Sequence, residues 1–232
     1  MSLPIVLITG QLLTDAVWEP LLNAWSDREV IVADNQHGET IGEMAQNLLD
    51  NAPEQFILIG HAMGGFVAFD VMRRAPERVA KLLLISTLAS ADGPAQTTRR
   101  QGYIDLVESG KFDQVVEERI PILFPEAKRN DERLLTIARK MAADTGADTF
   151  LRQQRAIMAR SDSRPKLSEI SVPTLLVWGD QDGITTRAHH DEILEGITNA
   201  RLEVIEGAGH LPTVEMPEVV VPILTKFIDE PI

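Results

Sequence analysis

The chain contains no cysteine among its 232 residues. Disulfides, a cysteine nucleophile and a Cys-ligated zinc site are therefore excluded. Positive charge is also scarce: 22 Lys and Arg stand against 35 Asp and Glu, a formal net charge of −13. A surface of that sign repels nucleic acid and anionic lipid, so neither is expected as a partner and a small-molecule ligand is. No apolar run approaches the roughly 18 residues of a membrane-spanning helix. Met1-Ser2-Leu3-Pro4 has no basic region, and the run Ile5–Ile8 is shorter than the apolar stretch of a leader, so a cytoplasmic location is expected. Internal repeats, low-complexity tracts and long linkers are missing too. What is present is ordinary for a globular protein, 44% hydrophobic and 25% charged, with length for one domain and a modest insertion.

Short β-branched runs alternate with amphipathic segments. Residues 4–9 are continuously apolar rather than alternating, which predicts a strand buried on both faces. Residues 29–33, 56–59, 81–85, 174–178 and 201–205 repeat the pattern, and helices are predicted over 16–25, 40–51, 64–74, 187–197 and 215–229. This alternation predicts an α/β fold, with about six mostly parallel strands and helices on both faces. It is interrupted once. Between Leu88 and Pro165 no strand candidate occurs, and four helical stripes do, among them Phe112, Val115, Val116 and Ile120. Residues 88–165 are therefore expected to form a helical cap inserted into a core of 1–87 and 166–232.

The most informative stretch is Gly60-His61-Ala62-Met63-Gly64-Gly65, which leaves one predicted strand and enters a helix directly. Gly-x-Ser-x-Gly in this setting is a nucleophile elbow, a sharp turn that lifts its central side chain to a helix N-terminus. Here the spacing and context match, with Ala62 in place of the serine. Further on, Asp180 and Asp182 follow the strand over 174–178, where parallel strands place ligand-binding groups. His210 lies in the Gly-rich loop after the strand over 201–205. The order position 62, acid, histidine is the Ser…Asp…His order of one hydrolase fold.

On these residues the whole chain resembles the bacterial α/β-hydrolase superfamily. The likeness rests on the elbow, Arg74-Ala-Pro-Glu-Arg-Val79, Pro173-Thr-Leu-Leu-Val-Trp-Gly-Asp-Gln-Asp182, and Gly209-His210 with Glu215-x-Pro217-Glu218. The resemblance implies that Asp182 is the acid, in preference to Asp180, and that His210 is the general base. It also implies an oxyanion hole of backbone N–H groups. Met63 is one donor and Gln11, less directly Leu12, the other, although Thr9-Gly10 stands where the family usually has His-Gly. No metal or organic cofactor is implied.

Ala62 has no lone pair and cannot form an acyl-enzyme, so the chain as written is expected to be nearly inactive in acyl transfer. One reading is a serine hydrolase of a small carboxylic ester present as a nucleophile-knockout variant. A second is a homologue that binds a ligand without hydrolysing it. A third is cofactor-free lyase or oxygenase chemistry with His210 as base. The retention of the acid, the base and the oxyanion segment favours the first, because a binding protein needs none of them. Arg99, Arg100, Arg152 and Arg155 could meet a substrate carboxylate but are expected to be solvated.

Overall fold

A computed structural model describes residues 3–231; Met1 and Ser2 of the N-terminal segment read above, and Ile232, lie outside the described residues. Six strands form one sheet: β1 (Ile5–Ile8), β2 (Val30–Ala33), β3 (Phe56–His61), β4 (Val79–Ile85), β5 (Thr174–Gly179) and β6 (Ala200–Ile205). Their order is β2-β1-β3-β4-β5-β6 and every pairing is parallel. Apolar residues on both sides of each strand give the sheet two cores. Ile5, Leu7, Ile57, Ile59, Leu83 and Ile85 point into one, Val6, Ile8, Phe56, Leu58, Leu82 and Leu84 into the other. The four inner strands are predominantly apolar for this reason, with Lys81, His61 and Thr174 as their polar members. The expectation of two buried faces is corrected for β2 and β6, which form the sheet's edges and are only partly buried.

Helices cover both faces. α2 (Ile41–Asn51), α3 (Met63–Arg74) and α7 (Arg187–Gly196) pack on one core, and α1 (Glu19–Ala24), α8 (Pro212–Glu215) and α9 (Pro217–Asp229) on the other. Two predicted helices are broken. Asp15–Trp18 is a 3₁₀ turn ahead of α1, and the segment 215–229 is interrupted at Met216, where Pro217 cannot continue the preceding helix.

Between β4 and β5 the chain is helical: α4 (Pro94–Glu108), α5 (Phe112–Leu123) and α6 (Glu132–Met158). α6 combines two of the predicted stripes, joined across a kink at Gly146 with φ of 76°. Val115, Ile120, Leu134, Met141 and Phe150 are buried in the core shared with α1 and α9. Leu123 of α5 accepts the His210 N–H, and Arg100, Arg119 and Ile157 face Ala62 across one cavity, so these helices stand at the carboxyl ends of the strands, where the elbow turns and the loops after β5 and β6 converge.

Candidate active site

The elbow forms as its glycines predict. β3 ends at His61, Ala62 makes the turn and α3 starts at Met63. Gly64 packs so closely on β1 that an added Cβ would lie 2.2 Å from the Ile8 carbonyl oxygen, and at Gly60 one would lie 2.6 Å from that of Gly64. Only glycine allows strand and helix to approach this far. Ala62 has φ 52° and ψ −111°, a conformation that alanine avoids and that costs on the order of 1–3 kcal/mol. The other described non-glycine residues with positive φ are Leu12 and Ser86, just past the ends of β1 and β4. Ala62 and Ser86 line one cavity and Leu12 lies between Gln11 and Leu13, which line it too, so the strain is concentrated where the strands end.

Asp182 and His210 meet there. His210 Nδ1 lies 3.0 Å and 2.9 Å from the two Asp182 carboxylate oxygens. The carboxylate also accepts from the Ile184 N–H at 2.7 Å and the Thr185 hydroxyl at 2.5 Å. Burial pushes the Asp182 carboxyl up, but the His210 charge and hydrogen bond, with the Thr185 and Ile184 donors, prevail and bring its pKa down to about 2. Asp180 is engaged elsewhere, accepting from the Gly207 N–H at 2.7 Å. With Nδ1–H committed to Asp182, Nε2 is the basic nitrogen of His210.

The His210 backbone is held at several points. Its N–H donates to the Leu123 carbonyl at 2.8 Å, and its carbonyl accepts from His61 Nε2 at 2.8 Å. The buried Glu215 carboxylate accepts from the flanking N–H groups of Gly209, at 3.0 Å and 2.9 Å, and of Leu211, at 3.1 Å. Burial holds the Glu215 pKa above its ordinary value, against those donors and Lys128. Glu215→Ala would leave two buried N–H groups without acceptors and is expected to cost about 2–4 kcal/mol in urea unfolding. A loss under about 0.5 kcal/mol would show that the loop does not depend on this clasp.

Gln11, Ala62, Met63 and His210 line one cavity, together with Arg100, Arg119, Leu123 and Ile157 of the helical insertion. The centres of water-sized molecules can occupy about 80 Å³ of it. On the β1 segment, the Leu12 N–H is directed at Gln153 Oε1, 3.4 Å away, which leaves Gln11 as the candidate donor. Met63 begins α3, so its N–H has no acceptor within the helix. Of the arginines considered from sequence, Arg100 reaches the cavity. Arg99 is exposed, Arg152 binds the Gln36 carbonyl and Arg155 pairs with Glu108 at the surface. Arg119 was missed, although it stands four residues after Val115 on an apolar stripe and so breaks that stripe's pattern. No group of three or more His, Asp or Glu suited to a metal ion occurs among the described residues.

Two buried histidines beside the site are neutral. Burial, foremost, lowers His61 from 6.5 to about 3 and His190 from 6.5 to about 4. The unfolded chain takes up protons at both below pH of roughly 6.5, while the native state does not until it reaches the lowered values. Stability is expected to fall as pH drops from about 6.5 towards 4, by up to about 1.4 kcal/mol per pH unit for each group. Asp182 adds a loss only below about pH 4, where the unfolded carboxyl protonates first. Urea midpoints at pH 7 and pH 5 check this, and His190→Gln should reduce the slope by about one proton. Equal midpoints would contradict it.

The alpha/beta hydrolase family's sequence profile matches residues 5–223. The chain is 27% identical to a provisionally named carbamate hydrolase, RutD, of Rhizobium rhizogenes, covering 92% of this chain and 88% of that one. It is 26% identical to a pimeloyl-[acyl-carrier protein] methyl ester esterase of Aeromonas hydrophila, over 97% of this chain and 94% of the other. Among solved structures, a thermophilic esterase from Thermogutta terrifontis, with malate bound, superposes with a TM-score of 0.90 at 28% identity, covering 98% of this chain and 90% of that one.

Proposed function

The chain belongs to the alpha/beta hydrolase family, and we propose that its cavity is the acyl-transfer site of a small-ester hydrolase in which Ala62 occupies the nucleophile position. The observation that carries this reading is the intact Asp182–His210 pair beside an elbow that keeps its strained turn with alanine at the centre. A serine at position 62 would attack the ester carbonyl, forming the acyl–oxygen bond as His210 Nε2 takes the hydroxyl proton. Asp182 holds the imidazole in the required tautomer, and the Gln11 and Met63 N–H groups stabilise the oxyanion. Collapse of the tetrahedral intermediate expels the alcohol, protonated by His210, and water completes the cycle by the same route.

Ala62 lacks the oxygen for the first step, so the chain as it stands binds the ester and turns it over at most residually. A carboxylic ester is favoured by the cavity's size, by its apolar walls of Leu, Met and Ile, and by the ester hydrolases among the relatives. No step requires a cofactor. We read residues 88–165 as the cap over a core of 1–87 and 166–232, and a cytoplasmic enzyme as the setting. The test is hydrolysis of a broad panel of short-chain esters by the parent and by Ala62→Ser. Turnover confined to the variant supports the reading. A folded variant that hydrolyses none leaves the chain a non-hydrolytic binding protein, a role that alanine at position 62 would equally suit.

A further inference from the structure

The cavity holds a positive charge that the protein does not answer. Arg119, on α5, lines it beside Ala62, Gln11 and His210. Neighbouring arginines of the insertion have acidic partners: Arg139 pairs with Glu117 and Arg155 with Glu108. Arg100, also in the cavity wall, shares the buried Asp92 carboxylate with Arg160, so that one acid serves two guanidiniums. Arg119 has no carboxylate within ion-pair distance among the described residues, and its guanidinium instead lies 5.4 Å from the Tyr103 ring centre and 5.9 Å from that of Phe150. Burial, then repulsion from Arg100, lowers its pKa to about 10, which still leaves it charged at neutral pH. Beside it, both polar atoms of the Gln11 carboxamide are buried with no hydrogen-bond partner.

The Tyr103 side chain also takes a hydrogen bond from Arg119, but a ring face accepts none of the remaining in-plane N–H donors. A half-buried cation with donors left for a ligand and an unsatisfied carboxamide together form an incomplete anion site. We infer that the ligand of this site carries a free carboxylate, which the Arg119 guanidinium binds, with the Gln11 carboxamide as a second donor. This rests on the ester-hydrolase reading and narrows it: the substrate is a compact half-ester of a dicarboxylic acid, its ester carbonyl at position 62 and its carboxylate at α5. The net charge of −13 would discourage anions at long range, so selection depends on these local donors.

The test uses Ala62→Ser protein and two methyl esters of equal length, monomethyl glutarate and methyl 5-methylhexanoate, whose isopropyl end replaces the carboxylate. Arg119→Met is expected to lower kcat/KM for the anionic ester by about 10- to 100-fold, chiefly through KM, and to change that for the neutral ester by less than about threefold. Arg119→Lys, which keeps the charge and serves if the Met variant does not fold, should show a smaller loss confined to the anionic ester. Preference of Ala62→Ser for the neutral ester, or equal losses on both, would overturn the assignment, since a purely structural arginine affects both alike. Calorimetry on the parent separates the two claims. Monomethyl glutarate should bind it, and bind Arg119→Met about tenfold or more weakly. Such binding without hydrolysis by Ala62→Ser would count against the hydrolase reading alone. Binding that ignores Arg119 would count against the carboxylate alone.

Discussion

Ala62→Ser is expected to raise kcat/KM toward a short p-nitrophenyl ester by about 10⁴- to 10⁶-fold over the parent, the scale of loss when such a nucleophile is removed. The size follows from how little else is missing. The turn already has the elbow's strained backbone, with φ of 52° at Ala62. The base is held by Asp182 at 2.9 Å, and its loop is fixed by Leu123, His61 and Glu215. Both proposed oxyanion donors, the Gln11 and Met63 N–H groups, are backbone groups just past β1 and β3 and do not depend on the side chain at position 62. The substitution adds one oxygen to a preorganised site, and preorganised electrostatics is where most acyl-transfer rate enhancement arises. The parent should show only the residual turnover that an oxyanion hole and binding provide. A gain below about tenfold would mean that His210 cannot reach the hydroxyl, since base and nucleophile must come within hydrogen-bond distance.

The second large effect is Asp182→Asn in the Ala62→Ser background, expected to lower kcat by about 10⁴-fold. Asp182 is buried and accepts from His210 Nδ1, Thr185 and Ile184, and its pKa of about 2 keeps it ionised across the working range. An amide of the same shape presents N–H to Nδ1 and favours the opposite tautomer, which removes the free lone pair from Nε2. Asp180→Asn in the same background should change kcat by less than about twofold, because Asp180 binds the Gly207 N–H at the surface and not the imidazole. Steady-state kinetics on the two double variants decide between the acids. Similar losses at both positions would contradict the assignment of Asp182.

Much of this arrangement is legible in the amino-acid sequence. The inner strands announced themselves because a parallel sheet covered on both faces demands side chains such as Ile57, Leu58 and Ile59 in succession. Gly60 and Gly64 marked the elbow, since a Cβ at either would collide with backbone. The edge strands were harder: Val30 and Val204 read like core residues in sequence, and only the strand order shows that each has one partner. Choosing Gln11 over Leu12 required Gln153, which lies 141 residues away and takes the Leu12 N–H. Glu215 was visible as a motif residue, but its grip on Gly209 and Leu211 exists only once the loop is folded. The break that Arg119 makes in its apolar stripe was visible, but not its meaning. A single charge on an apolar helical stripe ordinarily reaches solvent, and its enclosure by Tyr103 and Phe150 comes from the packing of α4 and α6 against α5.

The most direct measurement of the central claim is mass spectrometry of protein treated with a fluorophosphonate probe, which reacts only with an activated hydroxyl. Ala62→Ser should gain one covalent adduct, mapped to the peptide containing position 62, and Asp182→Asn in the same background should slow its formation. The parent should gain none. An unlabelled, folded Ala62→Ser protein, or an adduct on the parent at another residue such as Ser86 in the cavity wall, would contradict the assignment of position 62 as the nucleophile.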